Sequence, residues 1–175
     1  LFSIGLFGSA NHRETATLTP VTLNEVAHSV FYAPLYVSME NGYFKEEGID
    51  LSLVTGFGAD KTMTAVLSGE ADIGFMGPET TVYAASEGAS DTVVNFAQLT
   101  QRAGNFLVAR APSDTFSWDD VKGKTVLGGR KGGMPEMVFE YVLAQKGIDN
   151  KDVNIDQSID FGSTAAAFSG WQGDY

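Results

Sequence analysis

Residues 128–135, Gly-Gly-Arg-Lys-Gly-Gly-Met-Pro, lie between an apolar run, Thr125 to Gly128, and a helical stripe of Met134, Met137, Val138 and Tyr141. Free amides at a helix start, together with the helix dipole, attract an anion or a carbonyl oxygen. Gly132 and Gly133 let the backbone approach a ligand closely, Met134 opens the helix, and Arg130 or Lys131 adds positive charge. The spacing is not the GxxxxGKS/T of a P-loop, so nucleotide hydrolysis has no support. A plain glycine turn that caps the helix is the competing reading.

Three other loops carry groups suited to binding. Ala27 to Tyr32 offers an imidazole, a hydroxyl and two rings, of which His28, Ser29 and Tyr32 are the candidate contacts. A lone histidine is more often packed or solvated than catalytic, although it is the natural proton carrier near neutral pH. His12 lies in a polar linker and no nucleophile is paired with His28 locally, so an acid–base dyad is not indicated. Gly56 to Asp60 presents Phe57 as a stacking face, and Met76 to Thr81 presents Gly77, Pro78, Glu79 and Thr80 as a turn with a helix start and a hydroxyl. Phe57 as core and Glu79 as an ordinary first-turn acid, favoured by the dipole, are equally good readings. Gln101, beside Arg102, falls where the chain crosses from one part of the fold to the next. No HExxH or calcium-loop spacing occurs, so neither a metal nor a cofactor is called for.

Composition narrows the classes. The 175 residues are 43% hydrophobic and 19% charged with 20 glycines, which describes a packed globular chain. Eleven Lys and Arg against 22 Asp and Glu give a net charge of −11, which argues against nucleic acid and against anionic lipid. No cysteine is present, which excludes disulfides, thiolate zinc sites, iron–sulfur clusters and a cysteine nucleophile.

Those loops need elements to hold them. Thr22 to Ala27, Leu51 to Thr55, Ala71 to Phe75 and Val93 to Thr100 read as strands, followed by Thr125 to Gly128 and Val153 to Asp156. Helices fit between Tyr32 and Gly42, around Met63, Val66 and Leu67, from Pro78 to Glu87, from Met134 to Lys146, and from Thr164 to Ser169. Ala111 to Lys124 is a surface connector with a short turn at Trp118 to Val121, and Trp118 and Trp171 serve packing. Strand–helix alternation with glycine-rich strand ends predicts an α/β fold with a parallel sheet. In such sheets a ligand sits beyond the carboxyl ends of the strands, where the four loops fall. Leu1 to Gly8 reads as the tail of a signal peptide, too short to span a bilayer.

The succession Glu40-Asn41-Gly42-Tyr43-Phe44-Lys45-Glu46-Glu47-Gly48, Ile49-Asp50-Leu51 and Leu67-Ser68-Gly69-Glu70-Ala71-Asp72-Ile73-Gly74 resembles the solute-binding proteins of ABC importers, in the nitrate/taurine/sulfonate and thiamine-precursor branch (NMT1/THI5-like). The similarity runs from about Val21 to the end. It implies a two-lobed periplasmic-binding-protein-like fold of type II, with residues 1–20 a signal remnant and linker, 21–102 most of lobe one and 103–175 an incomplete lobe two, the chain stopping in mid-domain. It also implies a monomer outside the cytoplasm that closes over a small molecule and delivers it to a membrane permease. Sulfonates, nitrate-like anions and thiamine-pyrimidine-like heterocycles are the ligands implied. Many relatives are anchored through a lipidated cysteine, which these residues lack. The fungal thiamine-pyrimidine synthases that share the family name carry a cysteine-rich motif that is also missing, which weighs against an enzyme here.

Overall fold

The computed structural model describes residues 17–90, 93–102 and 104–175. The segment read as a signal-peptide tail, and His12, lie outside them. Two small parallel sheets organise the rest. The first has the order β2-β1-β3, with β1 at Thr19–Glu25, β2 at Ile49–Thr55 and β3 at Ile73–Phe75. Parallel neighbours need a crossover, and helices supply it. A 3-10 turn at Val30–Tyr32 leads into α1 (Ala33–Glu40), and α2 (Tyr43–Glu46) then joins β1 to β2; α3 (Ala59–Leu67) joins β2 to β3, and α4 (Glu79–Ser86) follows β3. Leu23, Val26, Ala27, Leu35, Met63, Ala65 and Ala71 are buried around this sheet.

Register brings the chemistry to one end. Glu25 is opposite Thr55 on one side and Phe75 on the other, so the last residues of all three strands form a single row. Because β1 is flanked by β2 and β3, the strand order reverses at the β1–β3 boundary, which is the crevice where α/β sheets bind ligands.

The second sheet pairs β4 (Thr125–Leu127) with β5 (Asn154–Asp156), with α5 (Met134–Gln145) between them and α6 (Thr164–Ser169) beyond. Val121, Val126, Leu143, Ile148 and Val153 form its core, and Trp118, Phe139 and Tyr175 pack against it. Arg110 fastens the crossing segment to this unit. Its guanidinium donates to the carbonyls of Phe168, Gln172 and Gly173 and lies 3.9 Å from the Phe168 ring centroid.

Several expectations are corrected. Val93 to Thr100 is not a strand: its described residues are irregular, and Val94 and Phe96 are exposed. A strand persists only where a neighbour completes its hydrogen-bond ladder, and the described residues offer none there. β1 begins and ends earlier than the alternation suggested, since the Thr19 amide already donates to the Gly48 carbonyl. The helix after His28 starts as a 3-10 turn because Ser29 Oγ accepts from the Phe31 amide. α2 was not foreseen; left-handed Gly42 stops α1 and lets the chain restart at Tyr43. The buried side of α5 runs through Glu136 and Leu143 rather than the methionine stripe, and Tyr141 is exposed. Trp118 packs as expected, while Trp171 is exposed beside Arg110.

Candidate functional site

At the carboxyl end of the first sheet, the fully buried Glu25 carboxylate collects three side chains. The Tyr36 hydroxyl donates to Oε2 at 2.6 Å, Thr55 Oγ1 donates to Oε1 at 2.9 Å, and His28 Nδ1 lies 2.9 Å from Oε1. A buried carboxylate is tolerable only when its lone pairs are met in this way. The Tyr36 oxygen also accepts from the Ser29 amide at 3.0 Å, and the His28 ring stacks on Tyr36 with centroids 4.3 Å apart. Burial and the bond to Glu25 raise the Tyr36 pKa, so the phenol keeps its proton. His28 and Ser29 are thus brought together, by two residues that sequence reasoning missed. The available signals were that Glu25 closes a strand and that Tyr36 lies one helical turn after Tyr32. The carboxylate–imidazole pair also corrects the expectation that His28 stands alone.

Tyr32 occupies the crevice between β1 and β3. Its ring meets Phe75 at 4.4 Å between centroids. Burial, then the charges of Glu25 and Glu79, raise its pKa and keep the phenol a donor. Glu79, the first residue of α4, is 8% exposed. Neither of its carboxylate oxygens has a hydrogen-bond partner among the described residues. Burial raises its pKa from the ordinary carboxylate value, with its own backbone amide acting weakly the other way. Its carboxylate folds back against Gly77 and fills the space that a Cβ would take there. Thr80 Oγ1 donates to the Gly77 carbonyl at 2.8 Å, which commits that hydroxyl to the turn, and Pro78 is exposed at its tip.

Phe57 sits in the loop after β2 with φ of 57°, a conformation that costs a bulky residue energy, and it is 55% exposed. Strained residues with exposed rings cluster at binding sites. A side chain at Gly162, in the second unit, would come within van der Waals reach of that ring. Next to it, Arg130 donates to Asp60 Oδ2 at 2.8 Å, bridging the loop after β4 to the start of α3, and Asp160 lies 3.8 Å from the same guanidinium. Tyr83 of α4 donates to Met137 Sδ of α5 at 3.3 Å.

The glycine loop is arranged differently from the expectation. Glu136, also buried, turns back and accepts from the Gly132 amide at 3.0 Å, while Gln157 Nε2 donates to its other oxygen. Gly132 takes the left-handed turn; Gly133 is an extended N-cap and Met134 opens α5. One amide that could have held an anion is therefore taken by the chain's own carboxylate, and Arg130 is taken by Asp60. Lys131 remains exposed. Gln101 is exposed in the crossing segment, which passes Phe31 at Gly104, and no contact joins it to the other candidates. Among the described residues no three His, Cys, Asp or Glu gather as a metal site, and no helix is long and apolar enough to cross a membrane.

Comparisons with known proteins bear on family and fold. The family model described as NMT1/THI5 like matches residues 30–170. A Bacillus subtilis (strain 168) protein named "Putative binding protein YtlA" is 53% identical over 171 residues, covering 97% of this chain and 51% of that protein. The chain thus spans about half the length of the curated relative it matches. Among solved structures, the alkanesulfonate-binding protein SsuA from Xanthomonas axonopodis pv. citri, bound to MOPS, aligns with a TM-score of 0.59 at 20% identity, over 89% of this chain and 52% of its own. The periplasmic aliphatic sulphonate binding protein SsuA from Escherichia coli gives 0.53 at 16% over the same shares. A protein from Bordetella bronchiseptica RB50 gives 0.59 at 24%, over 89% of this chain and 49% of that one. At these identities the likeness is one of fold: the α/β architecture of periplasmic binding proteins, of which this chain covers about half. The chain belongs to the NMT1/THI5-like family.

Proposed function

We propose that this chain forms part of an extracytoplasmic solute receptor that captures a small molecule between two α/β lobes, residues 21–102 and 103–175, and passes it to the permease of an ABC importer. One observation carries the reading: the loops after β1 and β3 bring Tyr32 and Glu79 to the strand end that holds Glu25, and Arg130, from the loop after β4, reaches Asp60 beside the loop after β2. Capture needs only contacts from both sides, because a ligand that binds the closed arrangement better shifts the population towards it. His28, Tyr32, Phe57, Glu79 and Arg130 are the contacts we assign, with the Gly132–Met134 turn opposite and Gln101 at the crossing. The fold relatives named for sulfonate binding and the family resemblance leave a sulfonate or nitrate-type anion and a thiamine-pyrimidine-like heterocycle as candidate solutes.

A thermal-shift screen of the protein from its complete reading frame, against aminopyrimidines, thiamine, taurine, alkanesulfonates and nitrate, tests this. A solute at about one hundred times its Kd stabilises by roughly 2.7 kcal/mol. One hit recovered unchanged by mass spectrometry supports a receptor. A second reading, an enzyme on the same fold, is favoured by the His28–Glu25 pair at 2.9 Å, a carboxylate–imidazole arrangement able to move a proton. A hit that is chemically converted, with conversion lost in His28→Ala, decides for it.

A further inference from the structure

Of the buried side-chain oxygens and nitrogens among the described residues, those without a hydrogen-bond partner are the two oxygens of Glu79. A native fold rarely leaves a buried carboxylate bare, so such a group asks for a function. The turn is shaped around it: Gly77 leaves the room a side chain would take, and Thr80 Oγ1 and Thr81 Oγ1 tie down the Gly77 and Pro78 carbonyls. The charges nearby deepen the demand. The charges of Glu25 and Glu79 both raise the Tyr32 pKa, so the two carboxylates lie near one phenol. Of the groups that could favour an anion, Arg130 is paired with Asp60 and the Gly132 amide with Glu136, and exposed Lys131 lies on the second unit.

We propose that Glu79 is the acceptor for a nitrogen donor of the solute, an amine, amidine or ring-amino N–H borne on a flat ring that lies against Tyr32 and Phe75. The assignment rests on the solute-binding reading above. A sulfonate or nitrate would bring only acceptors and like charge to this wall, whereas a donor satisfies a group already desolvated. A site built to pair a buried polar group discriminates strongly against analogues that leave it unpaired.

Two matched pairs of probes test it by calorimetry on the protein from its complete reading frame: benzamidine against benzenesulfonate, and 4-aminopyrimidine against pyrimidine. The donor of each pair binds at least tenfold more tightly, Glu79→Gln removes that preference, and Glu87→Gln, at the exposed end of the same helix, keeps it. Circular dichroism of Glu79→Gln checks that the fold is retained. Equal or tighter binding of benzenesulfonate, or an unchanged preference in Glu79→Gln, overturns the assignment and leaves the receptor reading intact. Binding of none of the four overturns the assignment, and the thermal-shift screen above then decides the receptor reading.

Discussion

Arg130 donates to Asp60 at 2.8 Å across 70 residues of sequence, joining the loop after β4 to the first turn of α3. Both side chains are partly exposed, at 32% and 60%. Asp60→Asn therefore changes stability by less than about 1 kcal/mol. It also releases the guanidinium. Affinity for a benzenesulfonate probe should rise about threefold to tenfold in this variant, and the gain should shrink as salt is added. Titration at two ionic strengths measures both effects; an unchanged affinity would show that Arg130 does not reach the solute.

Glu25 is the opposite case, because it is fully buried and meets three groups. Glu25→Ala strands the Tyr36 and Thr55 hydroxyls and opens a cavity, at a cost of about 3 kcal/mol. The urea midpoint should fall with the slope unchanged. Thr55→Val, which removes one donor and leaves the carboxylate two, should cost less than half as much.

Glu79 gives a pH signature. Burial raises its pKa, so the folded chain holds this proton at pH values where the unfolded chain has released it. The stability linked to the group is complete below the ordinary carboxylate range and is lost as pH rises through the raised value. Tyr32, and across its ring Glu25, are the titratable neighbours, and the raised Tyr32 phenol stays neutral throughout that window. Glu79→Gln buries no charge. It should be more stable than the parent at about pH 8 and equal to it at about pH 4. Denaturation at those two values reads the difference, and a gap of the same size at both would show that ionisation is not its cause.

Phe57 trades stability for an exposed ring. Phe57→Gly relieves the left-handed backbone and should raise stability by roughly 1 kcal/mol, since little of the ring is buried. Aromatic probes should bind several-fold more weakly to it. Loss of stability together with loss of binding would instead mean that the ring packs as core.

Much of this architecture was legible because periodicity and punctuation agreed. Thr164–Ser169 formed as a helix with the expected bounds, and Pro78, Gly128 and Gly133 mark element ends where expected. Val93 to Thr100 misled because apolar alternation states what a strand would bury, not whether a partner exists. The candidate loops were found from a rule about strand ends, but their couplings were not. Nothing local pairs Arg130 with Asp60, or turns Glu136 back onto Gly132, because those contacts depend on two loops meeting. Glu25 was passed over because it falls inside the strand read from Thr22 to Ala27, and alternation alone does not show which groups meet a carboxylate there, whereas the register sets it between Thr55 and Phe75.

The Arg110 clamp limits movement and order of assembly alike. Its bonds reach carbonyls 58 to 63 residues further along, so that part of the second unit closes only after a long loop has been paid for in entropy. Once closed, Arg110 and the Phe168–Gly173 stretch are held together. The clamp is thus a brace between the start and the end of the second unit, and a displacement of α6 is felt at Arg110.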